Sequence, residues 1–467
     1  MRFDEHFLSG VLSNISFLGK EFPEEISFSI DSRTIKVGEI FVAIAGVKFD
    51  GHDAIIDVLK KGASGIFFNS SKRGIIDKID PKLLKNKLLV SVDDTVDALV
   101  AMATAWRAKF EYPVIAITGS VGKTSTKEIV SNILKVSNID HIASFGNQNT
   151  KIGVSLNILR MKESHKAAIF ELGISKRGDM GVLVDILNPT ASLITCVGHS
   201  HMEGLGSLAD IAFEKRQVFK NFKHESIGII NGDQAILAEV GYNHPVIRFG
   251  LKTTNQIQAR KIRVIDGNMH FIIKIYNNKY DAILQNPHTG SVNNALAAAS
   301  IANLLNISGE NIVKGLQEPI KVASRFEERK IEKNRGLLIS DCYNASPESM
   351  KAALLAMDKI DTKSKKIAVL GDMLELGVNS PFWHRQLGRV LRKATSLRHV
   401  ILVGEMVSWT KKTLPIGVQA EHAKSWQDAI EKLDKMIERD SLVLIKGSNG
   451  MNLINLVDHF SEKDLTC

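Results

Sequence analysis

The sequence predicts an α/β fold in three domains: a small α/β N-terminal domain (1–108), a central parallel-sheet P-loop domain (109–321) and a C-terminal Rossmann-like α/β domain (322–467). Three observations carry this reading. At 467 residues, 44% apolar and 24% charged, the chain is too long for one ordinary core and rich enough in apolar residues to build several. Short apolar runs alternate with helical patterns, the rhythm of parallel strands covered by helices. Many runs end in Gly, Asp, Glu or Lys, at the strand ends where open α/β sheets bind ligands.

In the first domain "IFVAIAG", "GIFFN" and "LLVSV" read as strands, and a helix is expected from Thr95 to Phe110. From Val114 the alternation runs through "AAIFELG", "SLITCVG" and "IGIING". Around 256–276 two alternating strands, "IQARKIRVI" and "MHFIIKIY", precede the Ala-rich helix "VNNALAAASIANLL". The last domain contributes "LLISD", "KIAVLGD", "HVILVG" and "SLVLIKG", each followed by a helical stretch. The breaks near 109 and 322 fall where one rhythm stops and the next begins. No repeat and no low-complexity segment is visible.

A net charge of +9 favours anionic ligands, but the lysines are dispersed among acids and only 6% of residues are aromatic, so a dedicated nucleic-acid groove is not suggested. Cys196, Cys342 and Cys467 are too scattered for a disulfide framework or zinc knuckle. The N-terminus carries Asp4 and Glu5 where a signal peptide is basic. The most apolar stretch, near 181–202, is interrupted by Asp185 and Pro189. The cytoplasm is the expected address.

The most informative segment is "VIAITGSVGKTSTKEIV", Val114 to Val130. An apolar strand leads into a loop with Gly119 and Gly122, then Lys123 and Thr124 open a helix. Such a loop closes backbone N–H groups around phosphate oxygens, the lysine supplies a point charge and the threonine hydroxyl can hold Mg²⁺. Ile117 stands where the full motif has its first glycine, so the loop is a shortened G-x-x-G-K-T. An ordinary strand–turn–helix connection shows some of the same residues. Glu171 at a strand end, with His199 and His201 after the next strand, suits Mg²⁺ ligation around a triphosphate. A strand-end acid bonding loop amides is an equal alternative, and Lys215, in a helical pattern, looks like an exposed lysine. Arg325 in "SRFEE" is suited to a γ-phosphate. In "ISDCYNASPESM", Asp341 closes a strand and Ser346 caps a helix with Pro347 in its first turn.

Taken in order, these segments resemble the Mur ligase family over nearly the whole chain. "DSRTIKVGEIFVAIAGVKFDGHD" is similar to the family's uridine-nucleotide domain. "TGSVGKTS", "GNQNTKIGVSLNIL", "ELGISKRGDM", "HSHMEGLGS" with Lys215, "NNALAAA", "DCYNASP", "GDMLELG" with His384 and "KGS" follow in family order. "YNASP" and "GDMLELG" resemble the branch that adds D-alanyl-D-alanine to UDP-N-acetylmuramoyl-tripeptide with ATP.

The resemblance implies an ATP-dependent ligase with a central ATPase domain, two Mg²⁺ ions and roles for particular residues. Gly119, Ser120, Val121, Gly122, Lys123, Thr124 and Ser125 would cradle the phosphates. Thr124 and Glu171 would hold one Mg²⁺, and His201 and Lys215, the latter carbamylated by CO₂, would hold the second. Asn294 would read adenine, and Arg325 and Asp341 would bind the phosphate and ribose ends of ATP. Ser32 and Arg33 would face the uridine nucleotide, Asn147 and Asn149 the muramoyl-peptide, and Tyr343, Asn344 and Asp372 the incoming dipeptide. A monomer without nucleic-acid or membrane partners is expected.

The chain departs from the family pattern at Thr150 and Lys151, at Gly290 and Ser291, and at Asn449. These positions bear on the peptide stem, the adenine wall and the dipeptide carboxylate. Rival readings are a sister ligase, which "YNASP" disfavours, a folylpolyglutamate synthase, which the uridine-domain segment disfavours, and a P-loop protein that binds nucleic acid or acts as a nucleotide-gated interaction module.

Overall fold

The computed structural model describes residues 3–285, 288–320, 322–362 and 364–462. Cys467 lies outside them. Three sheets form, one within each of the three expected stretches. The first, in order β1-β5-β4-β3-β2, is built from β1 (Ser16–Lys20), β2 (Phe28–Ser29), β3 (Ile40–Val42), β4 (Gly65–Asn69) and β5 (Leu88–Val92). It is parallel except for β1.

The second sheet comprises β6 (Val114–Thr118), β7 (His141–Ala143), β8 (Ala167–Glu171), β9 (Ala191–Ile194), β10 (Ile227–Asn231), β11 (Val246–Gly250), β12 (Ile257–Ile265), β13 (Asn268–Ile275) and β14 (Asn278–Leu284). Its order is β14-β13-β12-β11-β10-β9-β6-β8-β7. β9 to β12 pair in parallel, and β12 to β14 form an antiparallel extension.

The third sheet, in order β15-β16-β20-β17-β18-β19, takes β15 (Glu327–Ile331), β16 (Gly336–Asp341), β17 (Lys366–Gly371), β18 (His399–Val403), β19 (Gln419–Ala423) and β20 (Ser441–Lys446). Its interior strands β17 and β20 are buried along their whole length, as parallel strands covered on both faces must be.

By compactness the chain groups into two units. One runs to Ala116 and includes Asp140–Gly173 and Gly181–Thr190. The other holds Ile117–Ile139, Ile174–Met180 and everything from Ala191. The first unit is tied together by its long helix, Thr95–Arg107, which ends three residues before the expected Phe110. There the buried Arg107 guanidinium turns back to donate to the carbonyls of Leu187, Phe110 and Asn188. The bonds to Leu187 and Phe110 are buried, where an unpaired carbonyl costs about 1–3 kcal/mol. Trp106 Nε1 donates to Met161 O at 3.2 Å in the same unit. No helix among the described residues is long and apolar enough to cross a membrane.

Candidate active site

The phosphate loop follows β6 and opens the helix Lys123–Val136, as the sequence predicts. It is strapped to the segment after β9. Ser120 N donates to Cys196 O at 2.9 Å, Thr195 Oγ1 to Val121 O at 2.6 Å, and Gly198 N to Ser120 Oγ at 2.9 Å. Both glycines are required. Gly119 has φ +148° and an added Cβ would lie 1.8 Å from Thr195 Oγ1; Gly122 has φ +90° and its Cβ would lie 2.3 Å from Asn294 Oδ1. Asn294 thus packs against the loop itself. Lys123 Nζ donates to Gly119 O at 2.9 Å, folded back over the loop that it opens.

Lys215 is not the exposed lysine that its helical pattern suggests. The helix Leu208–Arg216, started by the Ser207–Asp210 capping box, turns it inward until it is 2% exposed. Burial, reinforced by the positive charge of Lys123, lowers its pKa from the usual lysine range to about 7. Glu214, its neighbour, is also buried and accepts from Met180 N at 3.0 Å.

Glu171 ends β8 and is buried, with Asn149 Nδ2 donating to its Oε1 at 2.7 Å and its own N–H donating to Ser144 Oγ. Asn149 therefore orients the carboxylate directly, while Asn147 is exposed. At the departure from the family pattern, Thr150 precedes the helix Lys151–Ile158 without a side-chain cap, and Lys151 Nζ lies 3.3 Å from Asp97 Oδ1.

His199 and His201 follow β9, and each meets a carboxylate of the C-terminal part, one at a helix start and one in a loop. His201, in the left-handed region at φ +57°, places Nδ1 2.6 Å from Glu375 Oε2. His199 Nδ1 lies 2.7 Å from Glu348 Oε1, and its ring packs tilted against that of Trp383, centroids 4.2 Å apart. Glu348 and Glu375 lie within "ISDCYNASPESM" and "GDMLELG", where nothing in the sequence assigns them a role. Their partners lie far away in sequence, and no local signal marks them.

The other C-terminal candidates cluster at the ends of β16, β17 and β20. Arg325 lies 4.0 Å over the Tyr343 ring. Asp341 pairs with the buried Lys446 at 2.8 Å, and Lys446 also donates to Asn344 O. The Asn344 side chain accepts from Ala345 N. Asp372 is expected near the dipeptide, yet both its oxygens are engaged by backbone donors. Glu405 N and Met406 N donate to Oδ2 and Val407 N to Oδ1, so it caps the helix Val407–Lys411. Burial lowers the pKa of His384, which accepts from Met373 N through Nε2 while its Nδ1 lies 2.8 Å from Ser380 O. Ser448 Oγ accepts from Leu374 N, beside the exposed Asn449. These contacts fix the loop that presents Glu375.

At Gly290 an added Cβ would meet the His288 ring at 2.7 Å, so the missing side chain makes room for an imidazole two residues earlier. Ser291 N donates to His288 O. In the N-terminal segment, Arg33 forms a fork with Asp31, with Nε and Nη2 at 2.8 and 2.7 Å, and Ser32 O accepts from Lys61.

Among the described residues no three His, Cys, Asp or Glu side chains form a self-sufficient metal cage. Taken one by one, the Thr124 hydroxyl and the His201 imidazole in one compact unit and the Glu171 carboxylate in the other are donor types that suit a Mg²⁺ carrying phosphate oxygens and waters.

A phosphate loop on a parallel sheet, followed by a histidine pair and a buried lysine, defines a nucleotide-dependent enzyme class, and family comparison identifies it. The chain belongs to the Mur ligase family. Residues 117–302 match the Mur ligase middle domain, 324–449 the Mur ligase glutamate ligase domain, and 27–107 the Mur ligase family catalytic domain. It is 30% identical over 440 residues to the UDP-N-acetylmuramoyl-tripeptide–D-alanyl-D-alanine ligase of Bacillus subtilis, covering 93% of each chain. It is 32% identical over 443 residues to that of Rickettsia prowazekii, covering 93% of this chain and 95% of that one. Among solved structures, MurF from Acinetobacter baumannii superposes with TM-score 0.82 at 26% identity, over 98% of this chain and 99% of that one. MurF ligase from Thermotoga maritima, in complex with ADP, gives 0.77 at 26% identity over 93% and 96%.

Proposed function

We propose that this chain is an ATP-dependent ligase that joins D-alanyl-D-alanine to UDP-N-acetylmuramoyl-tripeptide, forming the UDP-muramoyl-pentapeptide of peptidoglycan synthesis. The observation that carries this is the phosphate loop strapped to the strand end that also presents His199 and His201, in a chain whose full-length relatives bear that ligase's name.

The reaction must first turn a carboxylate into an electrophile. An oxygen of the tripeptide carboxylate attacks the γ-phosphorus of ATP, ADP leaves, and an acyl phosphate forms. The dipeptide amine then attacks the acyl carbon, inorganic phosphate leaves, and the amine nitrogen loses a proton. Bound Mg²⁺ supplies charge neutralisation that lets carboxylate and phosphate oxygens approach one another. Lys123 places a positive charge on the outer phosphates, and the loop amides from Gly119 to Ser125 hold them without reorganisation. Thr124 and Glu171 would hold one Mg²⁺, His201 and Lys215 the second. Lys215 suits carbamylation because a neutral amine is what reacts with CO₂, giving a carbamate and a proton. With its pKa near 7, about half of the side chain is neutral at that pH.

In this reading residues 1–108 bind the uridine nucleotide through Ser32 and Arg33, 109–321 bind ATP, and 322–467 close on ATP and receive the dipeptide. Asn294 contacts the nucleotide base, Arg325 and Asp341 its phosphate and ribose ends, Asn147 and Asn149 the muramoyl-peptide, and Tyr343 and Asn344 the dipeptide. Asp372, just after β17, lies near the same dipeptide. The enzyme acts as a cytoplasmic monomer.

The test is phosphate release by purified protein with UDP-muramoyl-tripeptide, ATP and Mg²⁺, with and without D-alanyl-D-alanine. Release should require the dipeptide and match pentapeptide formed; dipeptide-independent release would reject the reading.

A further inference from the structure

Resting on the ligase reading, we infer that Glu375 and Glu348 are positioning residues that set His201 and His199, so that the metal-site histidine is oriented only when the C-terminal loops are seated.

The two contacts share a design. Each histidine belongs to the segment after β9, and each carboxylate comes from a loop or helix start in the C-terminal sheet. Glu375 engages twice, since its Oε2 meets His201 Nδ1 at 2.6 Å and its carbonyl accepts from Glu203 N at 3.1 Å. Glu348 Oε1 also receives two donors, from His199 N at 3.1 Å and from the ring at 2.7 Å. Among the described residues its other oxygen is buried without a hydrogen-bond partner, so both donors to this carboxylate come from His199. Glu348 heads the helix Pro347–Lys359, whose capping box at Ser346 fixes its direction.

The chemical consequence follows from the imidazole. A carboxylate at Nδ1 holds the proton there and leaves Nε2 as the lone pair for a metal, fixing both tautomer and ring plane. His201 and Glu375 both hold left-handed backbone, φ +57° and +63°, a conformation that non-glycine residues keep only when their surroundings impose it. Here each supplies part of the other's surroundings. Because binding linkage is reciprocal, a metal that favours the oriented His201 also favours the seated C-terminal loops.

The experiment is Mn²⁺ binding to the full chain in the presence of ADP, read from the free-Mn²⁺ spectroscopic signal, with wild type, Glu375→Gln, Glu375→Asp and Glu348→Gln. Glu375→Gln should weaken Mn²⁺ by about 10-fold, the scale for an outer-shell partner. It should raise the Mg²⁺ concentration needed for half-maximal turnover while leaving kcat at saturating Mg²⁺ near wild type. Glu375→Asp should recover part of the affinity, and Glu348→Gln should lose less than Glu375→Gln. Small-angle scattering should show Mn²⁺ with ADP compacting wild type more than Glu375→Gln. Wild-type Mn²⁺ affinity and compaction in folded Glu375→Gln and Glu348→Gln would overturn the inference alone. Failure of wild type to bind Mn²⁺ with ADP would instead overturn the ligase reading.

Discussion

At the phosphate loop, hydrogen bonds run outward to a second strand end, linking Ser120 and Val121 to the Thr195–Gly198 segment. At the Asp31–Arg33 segment they run inward. Arg33 is paired with its own neighbour Asp31, and its side chain is 85% exposed. Both segments are expected to hold parts of a nucleotide. A loop held by such contacts would present its N–H dipoles to a phosphate without rearrangement. An exposed arginine–aspartate fork contributes little to stability and is free to exchange its partner for a ligand.

Breaking the prebuilt site should have the largest effect. Lys215→Ala should lower turnover by roughly 10³-fold, the upper end for losing one preorganised group, and formate or acetate should restore part of it. Lys215→Arg should fail equally, since arginine keeps the charge but cannot carry a carbamate. Steady-state assays in CO₂-depleted and bicarbonate buffers check both. Lys123→Ala should cost roughly 10²-fold in turnover with an unchanged melting temperature. Near-normal turnover in the folded variant would remove the phosphate-cradle assignment.

Gly119→Ala tests rigidity instead of charge. Its Cβ would fall 1.8 Å from Thr195 Oγ1, so the strap must open, at about 1–3 kcal/mol in urea unfolding together with lost ATP binding. The burial of Lys215 has a pH signature. Its folded pKa near 7 lies below the unfolded value of 10.5, so from about pH 7 to 10.5 the unfolded chain binds the extra proton. In the metal-free, CO₂-depleted protein the Lys215 contribution to stability should therefore be lowest and level below about pH 7, then rise toward 10.5. Lys215→Met should remove that rise; urea midpoints across this range compare the two. The smallest effect belongs to the exposed fork. Arg33→Ala should leave the melting temperature unchanged and raise KM for the UDP substrate several-fold, on the order of 1 kcal/mol of charge-assisted hydrogen bonding, with KM for ATP unaltered. A shifted KM for ATP would show that the two regions are not separate sites.

Much of this molecule is legible in one dimension. β4, β5, β6, β8, β10, β17, β18 and β20 lie in apolar runs bounded by glycine or charge, because interior parallel strands are buried on both faces. The strands that escape such reading are the sheet edges β1, β2, β7, β14, β15 and β19. Edge strands face solvent on one side and carry sequences such as "EERKI" and "QAEHA". The interior strand β11 is also silent, since "VIRFG" is only half-buried.

The loop between β6 and its helix, the two glycines in it, the strand-end acids and histidines, and the Ser346 cap are legible in one dimension, because each depends on residues within one turn or loop. Tertiary structure alone decided that Lys215 is buried beside the charge of Lys123, that Asp372 caps a distant helix, and that Glu348 and Glu375 meet the histidines. A polar side chain's partner, and with it the charge state and orientation of the group, is fixed by which distant segment packing brings within about 3 Å.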